Sequence, residues 1–225
     1  MDYKNALMDA AQFTHDTVWG NWKRWILLVI WTIIFPLLGG YIMDIFRGST
    51  IPPECNDWVR RFIDGIKYLV AGLIYSIPVI IVLLITFIPV IKEFISQITS
   101  ESAELNYEAF LPFLMPVIGG VIVAIILGII VTLIFTIGII RMARMNRFFE
   151  VFNFREILKT IGKIGWGTYI IALIIIYVIS FILGMLINLV MEAPFIGIII
   201  ALFLWPLLTI FESRYFTRLY DESGE

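Results

Sequence analysis

The side chains best able to do chemistry are scarce in this chain: one histidine, His15, and one cysteine, Cys55. A single thiol excludes an internal disulfide framework and Cys-cluster metal sites, and a single imidazole excludes the usual His-rich zinc constellations. The phosphate-cradling G-x-x-x-x-G-K, the zinc-protease H-E-x-x-H and the redox C-x-x-C are absent from the sequence. Asp57 and Asp64 could be read as an acid/base pair, but no partner His, Ser or Lys is fixed nearby, and a helix cap plus a polar-face residue explain them better. Glu101, Glu104, Asn106 and Glu108 could offer oxygens to a divalent cation, although scattered single carboxylates read more simply as a solvated loop. The expectation is no catalytic residue, no metal, no cofactor and no enzyme.

What the sequence does hold is positive charge beside long apolar runs. The stretch 141–163 carries six Lys/Arg and four Phe (Arg141, Arg144, Arg147, Arg155, Lys159 and Lys163 among them), and 44–67 carries Arg60, Arg61 and Lys67 behind Arg47. Juxtamembrane cations are drawn to anionic headgroups by about 1 kcal/mol each, so these nine residues beyond Arg47 are the candidate anionic-lipid contacts. Membrane lipids are the expected partner, and nothing suggests nucleic acid.

The elements that must position these residues follow from composition. With 60% hydrophobic and 15% charged residues among 225, the chain is an all-α membrane protein: a small helical bundle with four to five segments spanning or re-entering the bilayer. An N-terminal lead, 1–24, carries Leu7, Ala11, Val18 and Trp22 on one helical face, with Trp19, Trp22 and Trp25 suited to the headgroup region. Asp2, Asp9 and the lack of an early apolar core argue against a cleavable signal peptide. Apolar segments lie near 25–43, 68–91, 117–140, 164–191 and 193–211, and a short polar tail occupies 212–225. Pro112 and Pro116 are expected to set off an interfacial entry from the span that begins near Val117, and Pro206 to kink or interrupt the last span.

Two amphipathic helices are expected to lie in the interface. In 57–67, with Asp57 as cap, Trp58, Val59, Phe62, Ile63 and Ile66 share one arc and Arg60, Arg61, Asp64 and Lys67 the other. In 153–163, Asn153 and Glu156 form a capping box, stapled by Phe152 and Ile157; Phe154, Ile157, Leu158 and Ile161 oppose Arg155, Glu156, Lys159 and Lys163. Small residues at four-residue spacing (Gly120, Ala124, Gly128; Ser180, Gly184; Gly197, Ala201) mark helix-packing stripes, within one bundle or against a second copy or protein partner.

Charge sets the topology. Segments 1–24, 44–67, 92–108, 141–163 and 212–225 hold three, four, one, six and two Lys/Arg. Five spans with the N-terminus outside would put twelve of these inside. If 25–43, broken by Pro36, Gly39 and Gly40, is instead a re-entrant hairpin, fifteen are inside and one outside, which the positive-inside rule favours. A weak internal repeat (apolar segment, basic patch, amphipathic helix, span at 25–91 and again at 117–190) argues for the first arrangement. In both, 44–67, 141–163 and the C-terminus are cytoplasmic and 92–108 is outside.

Gly40-Tyr41, Arg47-Gly48, Ile51-Pro52, Asp57-Trp58, Phe62, Asp64-Gly65-Ile66-Lys67 and Ile74-Tyr75-Ser76-Ile77-Pro78 form a pattern of their own, joined by Phe152-Asn153-Phe154-Arg155-Glu156-Ile157-Leu158-Lys159 and Arg218-Leu219-Tyr220. It resembles a largely archaeal family of multi-pass membrane proteins known as domain-of-unknown-function family 4013, over nearly the whole chain. Cys55 departs from it, since the family commonly has Trp after the Glu, and this weakens any special role for that position. The resemblance implies a helical membrane protein and no established activity. The function expected is a membrane-organising or partner-docking module that uses its basic amphipathic helices at the cytoplasmic leaflet. An oligomeric channel or passive transporter is the alternative, and a membrane-embedded lipid-acting enzyme is a more distant one for want of a catalytic constellation. The lack of ionisable residues inside any predicted span argues against a pump, a proton-coupled transporter or an intramembrane protease.

Overall fold

Pro36 decides how the first apolar segment folds. In the computed structural model, which describes residues 1–99, 107–193 and 195–224, the segment forms two helices, α1 being the N-terminal Tyr3–Val18: α2 (Trp22–Ile33) and α3 (Phe35–Phe46). Ile34 between them is non-helical at φ −95, ψ 73, and Pro36 sits in the first turn of α3, where its missing N–H leaves no helical bond unmade. Each leg has 12 residues, about 18 Å of helix against a hydrocarbon core of about 30 Å. The legs fold back on one another: the Trp31 and Tyr41 rings are 6.1 Å apart, where a straight helix would separate them by about 15 Å. The segment 25–43 is thus broken at Ile34 and folds back as a helical hairpin.

The rest of the chain forms α4 (Trp58–Thr99), α5 (Leu111–Met145), α6 (Phe154–Ile164), α7 (Trp166–Met191) and α8 (Ile196–Asp221), with 3-10 turns at Tyr107–Phe110 and Phe148–Phe152 and no strand among the described residues. Four of these helices, α4, α5, α7 and α8, are long and apolar enough to cross a membrane. The chain is an all-α integral membrane protein. It divides into two compact units, Met1–Ala71 with Thr136–Glu225, and Gly72–Phe135.

In the larger unit α8 is the axis, packing against α1, α2, α3, α6 and α7. The expected polar tail is the last part of this helix: Ser213, Arg214, Tyr215, Thr217, Leu219 and Tyr220 are all buried, and α8 continues through Pro206 without a break. α1 packs on α8, and its buried residues are Ala6, Ala10, Phe13, Thr17 and Val18; of the expected apolar face Leu7, Ala11, Val18 and Trp22, Val18 alone is buried. Small side chains allow the closer approach, and Thr17 returns its hydroxyl to Phe13 O at 2.7 Å. Trp19 and Trp22 remain 72 and 64% exposed.

Two boundaries differ from expectation. The amphipathic helix at 57–67 is the start of α4, continuous with the span, because nothing after Lys67 stops the helix. At the corresponding point of the second half, Gly165 at φ +90 caps α6 and starts α7; a left-handed residue there is what keeps those two helices apart. The expected entry and the span after it form one helix from Leu111, since Pro112 lies in the first turn, where proline is tolerated, and Pro116 is carried inside α5. The Asn153 cap forms as expected, its side chain accepting from Glu156 N–H at 3.4 Å. α6 docks through Ile157 and Ile161, fully buried, while Phe154 and Leu158 stay 50 and 45% exposed.

Of the seven small residues in the stripes, five meet a neighbour or are buried. A Cβ on Gly120 would lie 2.0 Å from Thr86 Oγ1 in the smaller unit, and one on Gly197 would lie 2.1 Å from Val190 O at the turn between α7 and α8. Ala124 and Ala201 are buried, and Ser180 stands opposite Glu212 of α8. Gly128 and Gly184 face open space. The expected turn residue Pro194, and Glu101, Glu104 and Asn106 of the acidic loop, lie outside the described residues; Glu108 belongs to the 3-10 turn before α5.

Candidate functional site: a buried arginine–carboxylate network

The backbones of α3 and α4 touch. A Cβ on Gly65 would be 1.6 Å from Pro36 O, and one on Gly40 would be 2.0 Å from Arg61 O. This contact brings the last turn of α3 against the charged arc of α4. Asp44, 6% exposed, accepts from three arginines: Arg47 Nη1 at 2.6 Å, Arg60 Nη1 and Nη2 at 3.0 and 3.1 Å, and Arg61 Nε at 2.9 Å. Asp64, 4% exposed, accepts from Arg47 Nη2 at 2.6 Å and Lys67 Nζ at 3.0 Å. Arg47 therefore straps the two carboxylates together. Arg61, 2% exposed, also donates to Asn56 O and lies 5.4 and 5.6 Å from the ring centres of Trp31 and Tyr41. A guanidinium can be buried only when paired and bonded in this way. Trp58 closes the aromatic wall, edge-on to Trp31 at 5.5 Å.

A second cluster fastens this one to the ends of the bundle. Arg214 of α8 grips the Asp9 carboxylate through Nε at 2.6 Å and Nη2 at 3.2 Å, donates to Ser49 O at 2.7 Å and lies 4.8 Å from the Phe13 ring centre. Arg144 donates Nε to Phe46 O at 2.8 Å and pairs with Asp221. Asp9 precedes the hairpin and Ser49 follows it. One guanidinium thus joins the helix that precedes the hairpin to the turn that follows it.

The candidate lipid contacts separate into three groups. Arg61 and Arg141 are buried, Arg141 donating Nε to Glu150 at 3.1 Å. Arg60, Lys67 and Arg144 pair but stay partly exposed, at 49, 40 and 23% of their side chains. Arg147, Arg155, Lys159 and Lys163 are exposed on and before α6, with Lys159 pairing Glu156 at 3.2 Å. In the first turns of α4 the charged arc turns toward the protein, while Val59 and Ile63 of the apolar arc are 76 and 50% exposed.

Beside the network, between the first turns of α4 and the end of α5, opens a cleft of about 980 Å³. Its polar wall is Arg47, Arg60, Lys67 and Arg144 with Asp57 and Asp64; its apolar wall is Trp58, Val59 and Ile63. Across the loop, burial pushes the Cys55 thiol above its usual pKa, partly offset by Arg61 and Arg24.

Asp44, Arg214 and Asp9 are site residues that the sequence reading missed. The one local signal was Asp44 with Arg47 at i,i+3; the other partners are remote in the chain. Neither a curated protein nor a solved structure matches. A family model does, over residues 25–192, a stretch that includes the hairpin, both network carboxylates and the cleft, and excludes Asp9 and Arg214. On that match the chain belongs to the family described as Protein of unknown function (DUF4013).

Proposed function

We propose that this integral membrane protein is a non-enzymatic, membrane-organising module that occupies one leaflet asymmetrically. Its hairpin and α6 sit in the cytoplasmic leaflet, and α4, α5, α7 and α8 cross. The observation that supports the reading is the fold-back of α2 on α3, with the Trp31 and Tyr41 rings 6.1 Å apart and Arg214 joining Asp9 before the hairpin to Ser49 after it. Neither 12-residue leg reaches across a bilayer core of about 30 Å. With the hairpin returned, fifteen of the sixteen Lys/Arg fall on one side, which the positive-inside rule makes the cytoplasm. A wedge in that leaflet flanked by cations favours anionic lipid and curvature, or docks a partner there.

The reading is tested by reconstitution. The full chain should partition into small, anionic vesicles in preference to large, neutral ones; equal partitioning, with no protein co-purifying, would overturn it. Sidedness is tested at Cys55, which should resist a membrane-impermeant maleimide on intact cells and react once cells are permeabilised. Because burial raises the thiol pKa and the thiolate is the nucleophile, that reaction should be slow near neutrality and accelerate as pH rises. Rapid labelling from outside would reverse the orientation.

A further inference from the structure

We infer that the cleft beside the first turns of α4 binds a phosphate-bearing anion, with a membrane lipid headgroup as its natural source. The inference deepens the membrane-module reading by naming the ligand and the residues that take it. Four cations line the cleft against two carboxylates, and one of those, Asp64, is already held by Arg47 and Lys67. With Asp44, Arg61 and Asp221 behind the lining, the cluster still carries one more positive than negative charge.

The cations keep donors in reserve. Asp44 takes both terminal nitrogens of Arg60 and leaves its Nε. Asp64 takes one of the three Lys67 protons. Arg144 uses Nε and Nη2 and leaves Nη1. A tetrahedral oxyanion with several acceptor oxygens suits such a set better than a planar carboxylate, which these cations have already satisfied. The same cleft is lined by the start of α4, Asp57 to Arg60, and the positive end of a helix favours an anion. Trp58, Val59 and Ile63 then give the uncharged part of an amphiphile an apolar flank, on a helix that runs on into a membrane span. A soluble phosphate would fill only the polar half of the space.

The test uses the full chain in neutral detergent, with bound ligand read by native mass spectrometry. The probes are short-chain phosphatidylglycerol, phosphatidylcholine of the same chain length, and inorganic phosphate. Phosphatidylglycerol should bind, and Arg60→Gln with Lys67→Gln should weaken it about 30-fold, from about fivefold per charge. Lys67→Gln alone, which leaves the Asp44 cluster untouched, should weaken it about fivefold and guards against misfolding of the pair. Arg155→Gln with Lys159→Gln on α6 should change it less than about twofold. Competition by millimolar phosphate would support the site and name a free anion as sufficient; its failure to compete would support the site and assign it to lipid. Unchanged binding in the Arg60/Lys67 pair, equal losses in both pairs, or phosphatidylcholine binding as tightly would overturn the site. The two readings fail separately. A variant that loses the cleft ligand but keeps its vesicle preference sinks the site alone, and a chain without vesicle preference that still binds phosphatidylglycerol sinks the module alone.

Discussion

Gly65→Ala should unfold the hairpin's seat rather than loosen it, at a cost of about 3 kcal/mol or more. The added methyl would stand 1.6 Å from Pro36 O, and the obstacle is backbone, with no rotamer to move aside. Overpacking a core costs typically about 1–3 kcal/mol where side chains can yield. Here α3 and α4 must separate, and the separation draws Arg61 away from Asp44. Gly40→Ala, aimed at Arg61 O from 2.0 Å, should behave alike. Gly128→Ala and Gly184→Ala, with open space around them, should be neutral or gain up to about 1 kcal/mol in helix propensity. Thermal unfolding of the four variants in one detergent gives the ordering, and a Gly65→Ala protein as stable as Gly128→Ala would refute the contact.

Asp44→Asn carries the second large effect. The substitution keeps the shape and removes the charge that three arginines share, one of them 2% exposed. Breaking a buried pair from one side costs about 3–5 kcal/mol because the remaining charge is stranded. Arg61→Met should cost less, since Asp44 keeps Arg47 and Arg60 and a thioether fits between Trp31 and Tyr41. The double variant should be more stable than Asp44→Asn alone, with a coupling of about 1 kcal/mol or more. Denaturant unfolding of the three proteins measures it. Strict additivity would mean that the network is a set of independent surface pairs.

What was legible in the sequence was whatever neighbours in the chain decide. Charge-free runs revealed the long helices, Pro36 with Gly39 and Gly40 revealed a break, and Asn153 with Glu156 revealed a cap. A helical wheel also separated two faces of 57–67 correctly, but it could not say which one meets protein. That depends on Asp44, 16 and 17 residues from Arg60 and Arg61, and on the Gly65–Pro36 approach, a contact between two backbones with no side-chain signature. Lys67 and Gly165 show the same limit at a boundary. The internal repeat predicted matching helices, and a single left-handed glycine made one pair separate and left the other fused. Arg214 was the least legible residue of all. It stood in a stretch that read as tail because its partners are 165 and 205 residues away.

That distance has a temporal meaning. A ribosome adding about 5–20 residues per second needs roughly 8–33 seconds to travel the 165 residues from Ser49 to Arg214. Throughout that interval Asp9 and the end of the hairpin are without the guanidinium that joins them. The first apolar segment is thus made early and fastened late, and for those seconds its legs are exposed to whatever insertion machinery or chaperone attends the nascent chain. A stop codon before Arg214 would remove little of the hydrophobic mass and yet leave the hairpin permanently unlatched, so truncated chains should be cleared as misfolded even though their membrane insertion is nearly complete.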